Sequence, residues 1–133
     1  MSNYLFVYGT LSPSLAPKEI EAEVRKLEFV GDGLVSGKLY DLGAYPGLIL
    51  TDEIKKKVRG KVYRLPADKK VIRSLDSYEE YFPRNPKKSL YRRRLTKVQL
   101  ADGRELKTWI YEYNGATAKK KSIPSGVYRK ALA

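Results

Sequence analysis

The chain has 133 residues, with 27 Lys+Arg against 15 Asp+Glu, a formal charge of +12, and neither Cys nor His. That length suits a single domain over residues 1–133 with a real core. The missing residues exclude a disulfide framework, a thiolate nucleophile, a Cys-based zinc site and a Ser-His-Asp triad, so acid–base chemistry falls to Asp, Glu, Lys or Tyr.

Tyr4-Leu5-Phe6-Val7-Tyr8 is a compact apolar and aromatic run that reads as a buried strand ended by Gly9. No basic region precedes it and no stretch is long enough to span a bilayer, so a cytoplasmic protein is expected. Residues 18–27 read as a charged surface helix, with Ile20, Val24 and Leu27 at helical spacing. Strand-like segments follow at 34–42, 47–50 and 58–65, punctuated by the turn residues Gly31, Gly33, Gly43, Pro46 and Asp52. Residues 67–81 form the second predicted helix, entered through Pro66-Ala67-Asp68 and stopped before Pro83. Two further strands, 91–100 and 105–113, flank the hairpin signal Ala101-Asp102-Gly103, and Pro124 and Gly126 mark a last turn. About six strands, often consecutive, and two helices predict an α+β fold: a small, mostly antiparallel or mixed sheet closing into a barrel, with helices packed outside.

Asn, Gln, Cys and Met are scarce and Lys is plentiful, a profile of hot environments that predicts a thermostable protein. Basic residues cluster at Lys55-Lys56-Lys57, at Lys119-Lys120-Lys121, and between Arg84 and Lys97, where no acid intervenes. Such clusters attract phosphates without specificity. Lysine-rich turns that keep a small domain soluble and blunt its strand edges account for them better than a nucleic-acid partner, because no nucleic-acid module signature is present. The glycine-rich stretch from Gly31 to Lys38 is no phosphate loop: Leu39 follows Gly37-Lys38 where Ser or Thr would be needed, and the segment runs into a strand.

Two candidate sites remain. Where the first strand ends, Tyr8-Gly9-Thr10-Leu11 could turn backbone N–H groups toward a shared anion, although a plain strand-ending turn explains the same residues. In the second helix each residue advances roughly 100°, which gathers Val71, Ile72, Leu75, Tyr78 and Phe82 within an arc of about 120°. Glu79 projects at roughly 80°, inside that arc, while Glu80 projects at about 180°, toward solvent, and Asp76 lies on the flank. An inward Glu79 either lines a cavity, with its pKa raised by desolvation, or swings out of a frayed last turn to water or an arginine. Eleven Tyr against three Phe supply polar-tipped aromatics for such a cavity or for ordinary amphipathic packing.

The segments Val7-Tyr8-Gly9-Thr10-Leu11, Gly37-Lys38-Leu39-Tyr40-Asp41, Tyr45-Pro46-Gly47 and Gly60-Lys61-Val62-Tyr63 are followed by Leu75-Asp76-Ser77-Tyr78-Glu79, Tyr91-Arg92-Arg93 and Trp109-Ile110-Tyr111. Together, and in this order over almost the whole chain, they resemble the γ-glutamylcyclotransferase-like family, which includes the AIG2-like proteins. The resemblance implies a small barrel with a cavity at one end and an active-site glutamate at Glu79. It also implies a substrate-binding loop, Tyr8-Gly9-Thr10-Leu11, whose N–H groups hold a carboxylate, with Tyr91 among the substrate-binding residues. The implied reaction is intramolecular aminolysis of a small γ-glutamyl substrate, releasing 5-oxoproline and an amine or amino acid, with no metal or organic cofactor. In much of the family glycine follows the glutamate; here Glu80 stands there. Two other readings use the same scaffold: a cyclotransferase for γ-glutamylamines, and a non-catalytic module binding a small anion or nucleic acid.

Overall fold

The computed structural model describes residues 3–8, 18–43, 45–53 and 55–127, apart from the side chain of residue 19. Five strands close into a barrel: β1 (Tyr4–Val7), β2 (Glu28–Asp41), β4 (Lys57–Arg64), β5 (Tyr91–Leu100) and β6 (Glu105–Tyr113). Around the ring β2 pairs with β4, β4 with β1, β1 with β6, β6 with β5, and β5 returns to β2 at Gly33↔Leu100 and Leu34↔Gln99. The β1–β6 pairing is parallel and the other four are antiparallel, so the barrel is mixed. The C-terminal half of β2 also carries β3 (Pro46–Leu50) and the short β7 (Lys121–Ser122).

Strand alternation sorts the core into two layers. Phe6, Val35, Leu39, Val58, Val62, Val98, Leu100 and Ile110, with Leu48, form the buried cluster of the barrel interior. Residues of the opposite face, including Leu5, Val7, Tyr63 and Tyr111, pack against α1 (Lys18–Val24) and α2 (Lys69–Tyr78) through Ile20, Val24, Val71 and Leu75. The helices thus lie outside the barrel, as their apolar stripes predict. Among the described residues no helix is long and apolar enough to cross a membrane.

The expected turn at Gly31 and Gly33 is instead part of β2, a 14-residue strand that starts at Glu28 and carries a bulge between Phe29 and Gly31. Close approach inside the barrel explains the glycine: a Cβ on Gly33 would lie 2.7 Å from Val98 Cγ1. Gly60 serves the same end, since a Cβ there would meet the Phe6 ring at 2.5 Å. Pro46, expected as a turn residue, opens β3, where its C=O is available to a side chain of the candidate site. The Asp-Gly hairpin between β5 and β6 is as expected, with Gly103 at φ 91°.

Candidate active site

α2 ends one turn earlier than the sequence suggests, and its ending places the central carboxyl group. Asp68 caps the N-terminus by accepting from Lys70 N at 2.9 Å. At the other end Glu79 is the cap residue, its N–H donating to Leu75 O at 2.9 Å. Tyr81 N then donates to Asp76 O (2.8 Å) and Glu80 N to Ser77 O (3.1 Å), the paired bonds of a Schellman closure. That closure needs a left-handed residue just beyond the cap, and Glu80 supplies it at φ 54°. Phe82, projected onto the buried arc, is therefore 44% exposed: the helix it was projected on has already stopped.

Glu79 does turn inward. With Tyr8, Tyr45, Tyr78, Tyr91 and Tyr111 it lines a cavity of about 190 Å3, closed off by Phe6, Pro46 and Leu90 and rimmed by Glu80. This is below the roughly 300 Å3 at which pockets for drug-sized ligands begin. Glu79 is partly reached by solvent, and its carboxylate takes no hydrogen bond from the described residues. Burial, reinforced by the neighbouring charge of Glu80, lifts its pKa from 4.5 to about 7.

The tyrosine hydroxyls around it are committed to the scaffold. Tyr8 Oη donates to Tyr111 O (2.5 Å) and accepts from Leu48 N (3.3 Å), tying β1 to β6 and β3. Tyr91 Oη donates to Pro46 O (2.6 Å), and its ring meets those of Tyr45 and Tyr113 at centroid distances of 6.2 and 5.9 Å. Burial pushes the phenols of Tyr8, Tyr91 and Tyr111 upward, so all three stay protonated. A neutral aromatic wall with one carboxyl group titrating near neutrality can accept and return a proton while keeping bulk water at the edge.

Asp76 was placed on the helix flank by its spacing, and it proves to be a second buried carboxylate, 8% exposed. Tyr111 Oη donates to it at 2.7 Å, and Arg93 Nε lies 2.9 Å from the same oxygen in an ion pair whose angle falls short of a hydrogen bond. The Arg93 guanidinium in turn stacks 4.4 Å from the Trp109 ring. Burial raises the Asp76 pKa, opposed by Tyr111 and Arg93. Its position one helical turn before Glu79 was a visible signal, but the partners on β5 and β6 were not.

Of the residues expected at the site, the structure brings Tyr8, Glu79 and Tyr91 to one cavity. Gly9, Thr10 and Leu11 lie outside the described residues. The basic stretch that showed no acid in sequence finds acids on β6 and α2: Arg94 Nη1 donates to Glu112 Oε1 at 3.1 Å, Arg92 lies 3.8 Å from the same oxygen, and Arg93 pairs with Asp76. Among the described residues no cluster of three or more Asp and Glu is arranged to hold a metal ion.

The profile of the family described as Gamma-glutamyl cyclotransferase, AIG2-like matches residues 5–130. No curated protein matches the chain. Among solved structures, an AIG2-like protein from Mus musculus superposes with a TM-score of 0.76 at 23% identity, over 96% of this chain and 88% of that one. Protein ytfP from Escherichia coli gives 0.65 at 27% identity, over 94% and 95%. YkqA from Bacillus subtilis gives 0.69 at 25% identity over 96% of this chain, which spans only 40% of that protein's length. With its barrel, its cavity and a profile match over nearly its whole length, the chain belongs to the AIG2-like gamma-glutamyl cyclotransferase family.

Proposed function

We propose that the protein cyclises a γ-glutamyl amide, with Glu79 as the group that moves the proton. The observation carrying this reading is a carboxyl group of pKa about 7 in the wall of a small cavity whose phenols remain neutral. In the proposed reaction the substrate's own α-amine attacks its γ-carbonyl carbon. A new C–N bond closes the five-membered ring, and the old amide C–N bond breaks. Glu79 takes a proton from the α-ammonium to free the attacking amine and passes it to the departing nitrogen. The second proton, lost as the α-nitrogen becomes the lactam N–H, follows to the same nitrogen, which leaves as an ammonium with Glu79 again a carboxylate. The nucleophile belongs to the substrate, so the protein's task is to fold it into attack geometry. Tyr8 and Tyr91, fixed by Tyr111 O and Pro46 O, form the wall against which the glutamyl chain bends. The loop that continues from Tyr8, Gly9-Thr10-Leu11, is proposed to hold the substrate carboxylate through its N–H groups.

The cavity wall also favours an amine leaving group over an anionic one. Although the chain carries +12, the described residues lining the cavity include two glutamates and no Lys or Arg. Glu80 at the rim repels a departing carboxylate and attracts an ammonium. The test is 5-oxoproline release from γ-glutamyl amino acids and γ-glutamylamines. Release should be fastest where the leaving group is cationic, and Glu79→Gln should abolish it with the fold intact. A Gln variant with the wild-type rate would remove Glu79 from the mechanism, and faster turnover of acidic leaving groups would remove the amine preference.

A further inference from the structure

A second cleft, which shares no described residue with the Glu79 cavity, has the opposite charge. It has a volume of about 570 Å3 and lies beside the middle of β2 and the start of β4, walled by Lys38, Lys55, Lys56, Lys57, Arg59 and the Ser122–Gly126 segment. No Asp or Glu is among its described lining residues. Lys38 is paired with Glu53 at 3.2 Å, and Lys57 Nζ donates to Ser36 Oγ at 3.0 Å, a bond that leaves its charge uncompensated. Lys55, Lys56 and Arg59 make no ion pair with a described acid, in contrast to Arg92, Arg93 and Arg94.

The cleft is built into the fold. Ile123 N donates to Leu39 O at 2.7 Å on β2, and Arg59 N on β4 donates to Gly126 O at 2.8 Å, so the segment between them is pinned at both ends. Gly126 sits at φ 69° directly on Lys57 O, where a Cβ would come within 2.0 Å. A fixed wall that gathers five cations, only Lys38 of them ion-paired with a described acid, raises the local anion concentration, and the hydroxyl-bearing residues Tyr40, Ser122 and Ser125 also line it.

We propose that this cleft binds a phosphorylated ligand through Lys55, Lys56, Lys57 and Arg59. The shared chemistry is the phosphate group, carried either by a small polyphosphate-bearing molecule or by a single-stranded nucleic-acid backbone. The test is calorimetric titration of the full chain with inorganic tripolyphosphate and with a roughly 12-nucleotide mixed-sequence DNA strand. The pair Lys55→Glu/Lys56→Glu is compared with Lys87→Glu/Lys88→Glu, which changes the net charge equally at exposed positions elsewhere. The cleft variant is expected to weaken binding of the preferred probe by about tenfold or more, and the distant variant by less than about twofold. Arg59→Gln, which adds no acid, should weaken it in the same direction and serves if the double variant misfolds. With three or four phosphate contacts, DNA affinity should fall roughly 20- to 50-fold between 50 and 200 mM salt. Tighter binding of the DNA strand would identify a nucleic-acid backbone as the source, and tighter binding of tripolyphosphate a small molecule; both support the site. Equal losses in the cleft and distant variants, or no binding of either probe by the wild type, would overturn it.

Discussion

A carboxyl group that titrates near neutrality weakens the fold at every pH where it is charged. Glu79 is raised from 4.5 to about 7, chiefly by burial, so its folded-state pKa lies above its unfolded value. The native state binds the extra proton between those two values, and stability falls as pH rises through that window. Glu79→Gln removes the ionisation. It should leave stability unchanged near pH 4 and increase it at pH 8 by up to about 3 kcal/mol, which paired denaturant titrations at the two pH values would measure. Glu80 is strained in a second way, holding the left-handed φ of 54° that helix closures usually give to glycine. Glu80→Gly should raise stability by up to about 1 kcal/mol and lower the pKa of Glu79, because the neighbouring negative charge is its second cause. An NMR titration of the Glu79 carboxyl in the two proteins would show that shift, and an unchanged value would mean that burial alone sets it.

At the scale of elements, α2 is held against the barrel by a polar contact as well as by its apolar stripe. Asp76 joins α2 to β6 through Tyr111 and to β5 through Arg93, and Tyr111 in turn takes the Tyr8 hydroxyl on its carbonyl. Asp76→Ala would leave a largely buried guanidinium without its counter-ion and a buried phenol without its acceptor. A loss of about 3 kcal/mol is expected by chemical denaturation, whereas Asp76→Asn, which still accepts from Tyr111, should lose less. The apolar arc of α2 was readable from Val71, Leu75 and Tyr78, and it turned Glu79 toward the core. The end of the helix was not readable, because the residue that signals a Schellman closure is ordinarily Gly and here is Glu80. The wheel consequently ran on to Phe82. Asp76 was visible as a carboxylate one turn from Glu79, but its pairing depends on residues 17 and 35 positions further along the chain, beyond the reach of any local pattern.

For the whole molecule, the strands of the barrel are legible one by one because inward and outward side chains alternate. Their closure is not. The parallel contact of Leu5 with Trp109 and the return of β5 to Gly33 join segments far apart in sequence. Gly31 and Gly33 look like turn punctuation, but both pair with β4, and Gly33 is held to glycine by the crowding of Val98 and Val62 across the barrel. Tertiary pairing also gives Arg92, Arg93 and Arg94 two buried acids between them, Glu112 and Asp76, so the +12 charge is distributed unevenly: a cation-rich cleft on one part of the barrel and an acid-lined cavity on another. The central claim, that the acid-lined cavity moves protons through Glu79, is tested most directly by the pH dependence of kcat/KM for 5-oxoproline release. An acid limb with an apparent pKa near 7, displaced downward in Glu80→Gly, is the predicted result. A limb near the ordinary 4.5, or a limb that Glu80→Gly leaves in place, would contradict it.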